Sequence, residues 1–373
     1  MSLDEESLEL HKKHKGKIEI TAKVSVNNRH DLSVAYSPGV AAPCLAIAKD
    51  PELAYTYTAK QNMVAVVSDG SAVLGLGNIG GLAGIPVMEG KAVLFKEFAG
   101  VDAVPLCLSS QDPHDIIKTV KMIAPSFGGI NLEDIKAPEC FHILDELQDL
   151  GIPVFHDDQD GTAIVTLAAL KNALRVVKKD LNASIVVLGA GAAGIAIVRL
   201  LLSAGAKNVV LVDSRGIVPY DYESGNTYKE NIARQINPEK KTGSLADALK
   251  DADVLIGVSR ANLVTKEMVE SMASDPIILA MANPNPEISP ELAKEAGARV
   301  IGTGRSDYPN QINNVLVFPG LFRGLLDARK DKITAEMKLA VVDALLLENP
   351  TAEKIIPDIS KEISERVANA IRQ

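Results

Sequence analysis

Short apolar runs recur through the second half of the chain: SIVVLG (184–189), NVVLVD (208–213), DVLIGVS (253–259), PIILAMA (276–282) and RVIGTG (299–304). Runs of this length, rich in β-branched residues and lacking polar alternation, predict parallel strands covered on both faces. The segments between them carry helical periodicity, so this half reads as a doubly wound α/β unit. The first half alternates similarly, with strands expected at 63–68, 102–108, 130–133 and 153–156. From Thr334 to Gln373 the pattern predicts two helices, each with a polar face. A chain of 373 residues exceeds what one core organises, and two domains with a shared cleft are expected.

Two stretches match the glycine pattern of a phosphate-binding turn: GLGNIG at 75–80 and GAGAAG at 189–194. A dinucleotide turn needs a strand before it, a helix opening within it and an acid closing the next strand. The first stretch fails this test on the pattern, because Gly81, Gly84, Pro86 and Gly90 interrupt the helix that should follow, and the next acid, Asp102, opens its strand. It is expected instead to close a loop near the substrate. The second passes: IAIVRLLLSAG follows, and the next strand ends at Asp213, nineteen residues beyond Gly194. One dinucleotide is therefore expected, on Gly189, Ala190, Gly191, Ala192, Ala193 and Gly194, with Asp213 on the ribose. Asp213 favours NAD⁺ because it repels a 2′-phosphate; Arg215 argues for NADP⁺.

The stretch GINLEDIKAPECFHILDELQDLGIPVFHDDQDG (129–161) reads as strand, helix, strand. Such a crossover makes the strands parallel, so their carboxyl ends share one edge. Glu133 and Asp134 end one strand, and Asp157 and Asp158 end the other. On adjacent or next-but-one strands these pairs lie about 5 to 10 Å apart, within reach of one cation. Hard oxygen ligands favour Mg²⁺ or Mn²⁺. The alternative is that Asp157, Asp158 and Asp160 only favour the N-terminus of the following helix. Asn283 closes the strand 276–282 at the edge where open α/β sheets bind ligands.

Charge and cysteine usage narrow the function classes. With 39 basic against 48 acidic residues the net charge is −9, which disfavours a nucleic-acid partner. No apolar stretch is long enough to span a membrane, and the start MSLDEESLEL lacks a secretory core. Cys44, Cys107 and Cys140 are too scattered for a zinc site or disulfide framework and are expected as buried free thiols in a reduced, cytoplasmic protein.

Eight ordered motifs carry a family resemblance: YSPGVAAPC (36–44), SDGSAVLGLGNIGG (68–81), GKAVLFKEFAG (90–100), NLEDIKAPECF (131–141), FHDDQDGTAIV (155–165), GAGAAG, ANPNPE (282–287) and NQINNVLVFPG (310–320). Across nearly its whole length the chain resembles the short prokaryotic malic enzymes. That resemblance implies metal-dependent oxidation and decarboxylation of malate to pyruvate with NAD(P)⁺, with Tyr36 as general acid and Lys91 as general base. It further implies Glu133, Asp134 and Asp158 as metal ligands, Asp157 beside Lys91, and Asn283, Asn313 and Asn314 against the substrate, with Asn283 also near the cofactor. Where large eukaryotic members carry a carboxylate-binding arginine this chain has Ala72, as the short form does. A malolactic enzyme, a metal-independent amino acid dehydrogenase and a non-catalytic NAD-binding regulator are the alternatives. The expected layout is an N-terminal α/β substrate and metal domain (1–160), a Rossmann-type NAD(P)-binding domain (161–314), and a C-terminal segment (315–373) packing back on the first. A homodimer or higher homo-oligomer is expected.

Overall fold

The computed structural model describes residues 2–73 and 75–373. A first sheet contains β1 (Met63–Ser68), β2 (Asp102–Cys107), β3 (Gly129–Leu132) and β4 (Val154–His156), in the order β2-β1-β3-β4 and parallel throughout. A second contains β5 (Ile185–Leu188), β6 (Val209–Asp213), β7 (Gly216–Ile217), β8 (Val254–Gly257), β9 (Ile277–Ala280) and β10 (Val300–Thr303). Its order is β10-β9-β8-β5-β6-β7, and only the β6–β7 pair is antiparallel. All nine expected strands form; β7, two residues long, is too short to leave a periodic trace. In each sheet the strand order reverses beside the first strand formed, at β1/β3 and at β5/β8, which opens a crevice at the carboxyl edge.

The helix Gly80–Ala99 corrects one expectation, for it begins inside GLGNIG and runs through Pro86. Gly81, Gly84, Met88, Lys91, Ala92 and Phe95 form its buried face. A side chain at Gly81 would meet the Leu108 carbonyl oxygen at 2.2 Å, so its small residues are what let the helix lie against the strand end. Tertiary packing here overrides poor helix propensity.

One apolar core runs from the first sheet through the buried helix Thr162–Val176 to one face of the second sheet. A separate core, including Val186, Val210, Leu255 and Ile278, fills the opposite face. Beyond β10, the helices Phe318–Asp327 and Lys361–Arg372 return to the helix Gly80–Ala99. Phe95 meets Phe318 and Phe322 at ring separations of 4.8 and 5.4 Å, and Phe322 meets Phe155 at 6.0 Å. The helices expected after Thr334 are Ala335–Ala344 and Lys361–Arg372.

The N-terminal segment is different. Helices Leu3–His14, Arg29–Ala35 and Ala41–Lys49 bury no residue, and Ile20, Val34, Tyr36 and Leu45 are exposed. Of the three free cysteines Cys140 is buried, Cys107 is half-buried and Cys44 is exposed, so the expectation of buried thiols holds fully only for Cys140. Among the described residues no helix is long and apolar enough to cross a membrane.

Phe322 joins the C-terminal segment to both the helix Gly80–Ala99 and β4. Phe322→Ala is expected to lower unfolding free energy by about 3–5 kcal/mol, the usual cost of a large ring removed from a packed core. Denaturant titration checks this; a loss below about 1 kcal/mol would mean that the neighbouring rings close over the gap unaided.

Candidate active site

Two strand ends in the first sheet and one helix build the centre. β3 delivers Glu133 and Asp134, and β4, its direct parallel neighbour, delivers Asp157 and Asp158. Beyond β4 the chain makes a single π-helical turn, Asp157–Gly161, before the helix Thr162–Val176. Turns of this kind recur at functional sites because they re-aim side chains out of the regular helix. A Cβ at Gly161 would lie 1.9 Å from Asp157 Oδ1 and 3.4 Å from Asn314 Cβ, so only glycine lets the turn close over the acid and against Asn314. Asp134 adopts a left-handed φ of 54°, and its N–H donates to Asp158 Oδ2 at 2.8 Å, which locks the two strand ends together.

Lys91 projects from the helix Gly80–Ala99 into this cluster. Its Nζ lies 2.9 Å from Glu133 Oε1 and 2.5 Å from Asp157 Oδ2, and 4.3 Å from the centroid of the Phe318 ring. Burial lowers the tendency of Lys91 to hold its proton, but Asp157 and Glu133 outweigh it and keep the ammonium above the usual lysine range. With the cluster in this state Lys91 is a cation, contrary to the neutral amine that a base role demands. The carboxylates outnumber this cation. Burial, reinforced by their mutual repulsion, pushes Glu133 and Asp157 up to about 7 and Asp158 up to about 6.

Such a cluster calls for more positive charge. Among the described residues Glu133, Asp134 and Asp158 each offer an oxygen within 4.8 Å of the others. Three hard donors, two of them held above their ordinary protonation range, fit a divalent cation such as Mg²⁺ or Mn²⁺. His156 is fully buried and held neutral, its pKa pulled down to about 4 by burial, with Nδ1 3.8 Å from Asp158 Oδ2. Sequence reasoning missed the residues that fix this cluster. Asn131 Nδ2 donates to Glu133 Oε2 at 2.8 Å, and Ser71 Oγ, itself bonded to Asp69, accepts from Lys136 N at 2.9 Å. Ala72 N–H donates to Asp134 O at 2.9 Å, so the loop that lacks the arginine is tied to the ligand strand. Asp69, Ser71, Asn131, Lys136 and Phe318 all lay within the quoted motifs, but nothing in their spacing marked them as supports of the cluster.

The second sheet presents its own edge to the same cleft. After β5, Gly189 takes a φ of +115°, and a Cβ at Gly194 would sit 1.7 Å from the Gly189 carbonyl oxygen. Both positions need glycine. Gly191 opens the helix Ala192–Ser203 with no side chain capping it and nothing within 4 Å of a built Cβ, which leaves the first-turn N–H groups free for a pyrophosphate. Asp213 ends β6. Glu287, fully buried, accepts from Ser259 N at 2.7 Å and Ala282 N at 3.1 Å, pinning the loops after β8 and β9. Those loops carry Asn283, whose Nδ2 donates to Met281 O at 3.3 Å. A Cβ at Gly75 would lie 3.3 Å from Pro284 Cδ, so the GLGNIG loop reaches across to the second sheet beside Asn283.

Asn314 opens a 3₁₀ turn beside Gly161, and Asn313 caps that turn by accepting from Val315 N at 3.0 Å. Tyr36 alone stands apart: it caps the helix Arg29–Ala35 and is 68% exposed.

A carboxylate cluster with a buried lysine on one sheet edge, facing a glycine-turn edge on another, is the architecture of a dinucleotide-dependent dehydrogenase whose acids suit a divalent cation. Residues 15–148 match the malic enzyme N-terminal domain and residues 159–373 the malic enzyme NAD binding domain. The chain belongs to the malic enzyme family. It is 56% identical over 379 residues to the bifunctional malic/malolactic enzyme of Bacillus subtilis, covering 100% of this chain and 92% of that protein. The NADP-dependent malic enzyme of Halomonas elongata is 51% identical over 354 residues, covering 93% and 83%. The crystal structure of an NAD-dependent malic enzyme from Thermotoga maritima superposes with a TM-score of 0.94 at 50% identity, covering 98% of each chain. This membership sets aside the amino acid dehydrogenase and the non-catalytic regulator.

Because Glu133 and Asp158 must lose protons to bind a cation, Mn²⁺ affinity should fall as pH drops from about 8 to about 5.5, by up to about tenfold per unit for each proton displaced. Isothermal titration across that range checks it, and a flat profile would remove these carboxylates from the ligand set. Asp158→Asn keeps the shape but loses the charge, and is expected to weaken Mn²⁺ by about 10- to 100-fold or more while leaving dinucleotide binding in place.

Proposed function

We propose that this chain catalyses the oxidative decarboxylation of (S)-malate to pyruvate and CO₂, with reduction of NAD(P)⁺ and with a divalent cation on Glu133, Asp134 and Asp158. The observation that carries this reading is the Lys91 ammonium held 2.5 Å from Asp157 and 2.9 Å from Glu133 inside the carboxylate cluster. It places a proton carrier against the residues that would hold the metal. The cation would supply Lewis acidity at the substrate's C2 oxygen and offset the charge that develops as the C4 carboxylate leaves. The dinucleotide supplies the hydride acceptor for C2.

The remaining work falls to side chains. Lys91 takes the C2 hydroxyl proton on Nζ, which requires it to enter the reaction as an amine. With Glu133 committed to a cation, Asp157 alone opposes that deprotonation, while burial favours it. Asp157 Oδ2 then serves to orient Nζ and exchange its proton. Asn283 and Asn314 offer amides to the substrate from the second sheet edge and from beside the π turn; Asn313, with its oxygen committed to Val315, offers only its Nδ2. Gly189 to Gly194 and Asp213 hold the dinucleotide. We divide the chain at 160/161 and 314/315, a reading supported by the confinement of each sheet to one part and by the contacts of the C-terminal helices with the helix Gly80–Ala99.

Tyr36 donates the proton to C3 after CO₂ has left. An acid at 68% exposure is poorly placed for this, and the apolar residues around it, Val34, Val40 and Leu45, are exposed as well. We therefore propose a homodimer in which a second copy covers this segment and desolvates Tyr36. The free thiols support a reducing, cytoplasmic setting.

The name of the Bacillus subtilis relative keeps malolactic turnover as a second reading for the same residues. A malate assay with Mn²⁺ separates them: pyruvate formed with equal NADH or NADPH supports oxidative decarboxylation, and lactate without net reduced cofactor supports the other. Sedimentation velocity should give a dimer, and a monomer at assay concentrations would overturn the role given to the second copy. Tyr36→Phe should slow exchange of pyruvate methyl protons with solvent deuterium by roughly 10² to 10⁴, the usual contribution of a general acid. Exchange at the parent rate would remove Tyr36 from that role.

A further inference from the structure

The carboxylate that ends β6 is already engaged in this chain. Asp213 Oδ1 accepts from Arg215 N at 2.8 Å, and Oδ2 accepts a short hydrogen bond from the Tyr222 hydroxyl, with Lys229 Nζ 3.9 Å away. Arg215 Nε donates to the Tyr222 oxygen at 2.9 Å, and its guanidinium lies 4.3 Å from the Tyr222 ring centroid. Tyr222 itself is buried, at 8% exposure. Burial and then the bond to Asp213 push its hydroxyl above the usual phenol range, so it stays a donor. Asp221 and Glu223, on either side of it, are exposed.

Both oxygens that a ribose 2′-hydroxyl would approach are therefore taken, one by backbone and one by a side chain. Lys229 Nζ stands 3.9 Å from Oδ2, and the Arg215 guanidinium is held on the Tyr222 ring beside it, so two cationic side chains border the site. Such a setting weakens the usual reason for excluding a 2′-phosphate and supplies donors to receive one. Its parts come from β6, from the loop after β7 and from the helix Thr227–Ala233.

We propose that Tyr222 is a positioning residue that sets the choice between NAD(H) and NADP(H): it occupies and neutralises Asp213 while its ring holds Arg215, with Lys229, ready for a 2′-phosphate. This rests on the reading that Asp213 faces the adenosine ribose. Removing only the hydroxyl frees Asp213 Oδ2 to accept from the 2′-hydroxyl and exposes its charge to a 2′-phosphate. The ring in Tyr222→Phe still supports Arg215. Affinities for the two nucleotides should thus move in opposite directions, which general loosening of the loop cannot produce.

The test titrates parent, Tyr222→Phe and Asp213→Asn proteins with NADH and with NADPH, followed by nicotinamide fluorescence, without malate or turnover. In Tyr222→Phe, NADH should tighten and NADPH weaken, shifting their ratio by about tenfold or more, the scale of one hydrogen bond to a charged group. In Asp213→Asn the ratio should shift toward NADPH. If Asp213→Asn shifts the ratio but Tyr222→Phe leaves it alone, or weakens both nucleotides alike, Tyr222 has no such role. If Asp213→Asn moves neither nucleotide, Asp213 does not meet the ribose, and the proposal falls with that reading.

Discussion

A buried ammonium among more carboxylates than it can neutralise is the constraint on which this molecule turns. Lys91 faces Glu133 and Asp157 directly, all three shielded from bulk water, with the half-buried Asp158 close behind. Removing such charges from water costs several kcal/mol each, and an ion pair repays that only with good geometry and further hydrogen bonds. Here the geometry comes from three elements that cannot shift independently: the ends of β3 and β4, one ladder apart, and a helix pressed on the sheet through Gly81 and Phe95. The cluster remains short of positive charge even so, which is the physical basis for reading it as a cation site.

Much of the surrounding architecture serves to hold that cluster still. Asn131 steadies Glu133, the left-handed turn at Asp134 brings its N–H to Asp158, and Gly161 lets the π turn fold over Asp157. Phe318 covers the ammonium from the C-terminal segment, whose helices close the far side of the helix Gly80–Ala99. At the second sheet the same logic repeats with different chemistry, since buried Glu287 pins the two loops that carry the polar edge around Asn283. The two edges meet where the GLGNIG loop touches Pro284. The carboxylate edge and the glycine-turn edge thereby line one cleft.

The N-terminal fifty residues do not share this rigidity of packing. Their helices bury nothing, and the large apolar side chains they expose include those flanking Tyr36. The carboxylate cluster, Lys91 and the glycine turn all belong to the packed body. The proposed acid, Tyr36, sits in a segment that buries no residue against the rest of the chain.

Patterns of one period in one stretch of chain were legible from the sequence. Buried parallel strands write themselves as uninterrupted β-branched runs, so nine strands were readable, as were the pairing of acids at the ends of β3 and β4 and the glycine turn after β5. The glycines and proline at 80–90 misled for the same reason. Local propensity argues against a helix there, and only the strand end at Leu108, far away in sequence, makes small residues an advantage. Tertiary structure alone decided that Lys91 meets Asp157 across 66 positions, that Phe318 lies over its ammonium, and that Tyr222 takes up Asp213. Those contacts join residues from different elements, whose distances depend on how helices and sheets pack. No spacing along the chain encodes that, whereas burial and hydrogen bonding in the folded protein do.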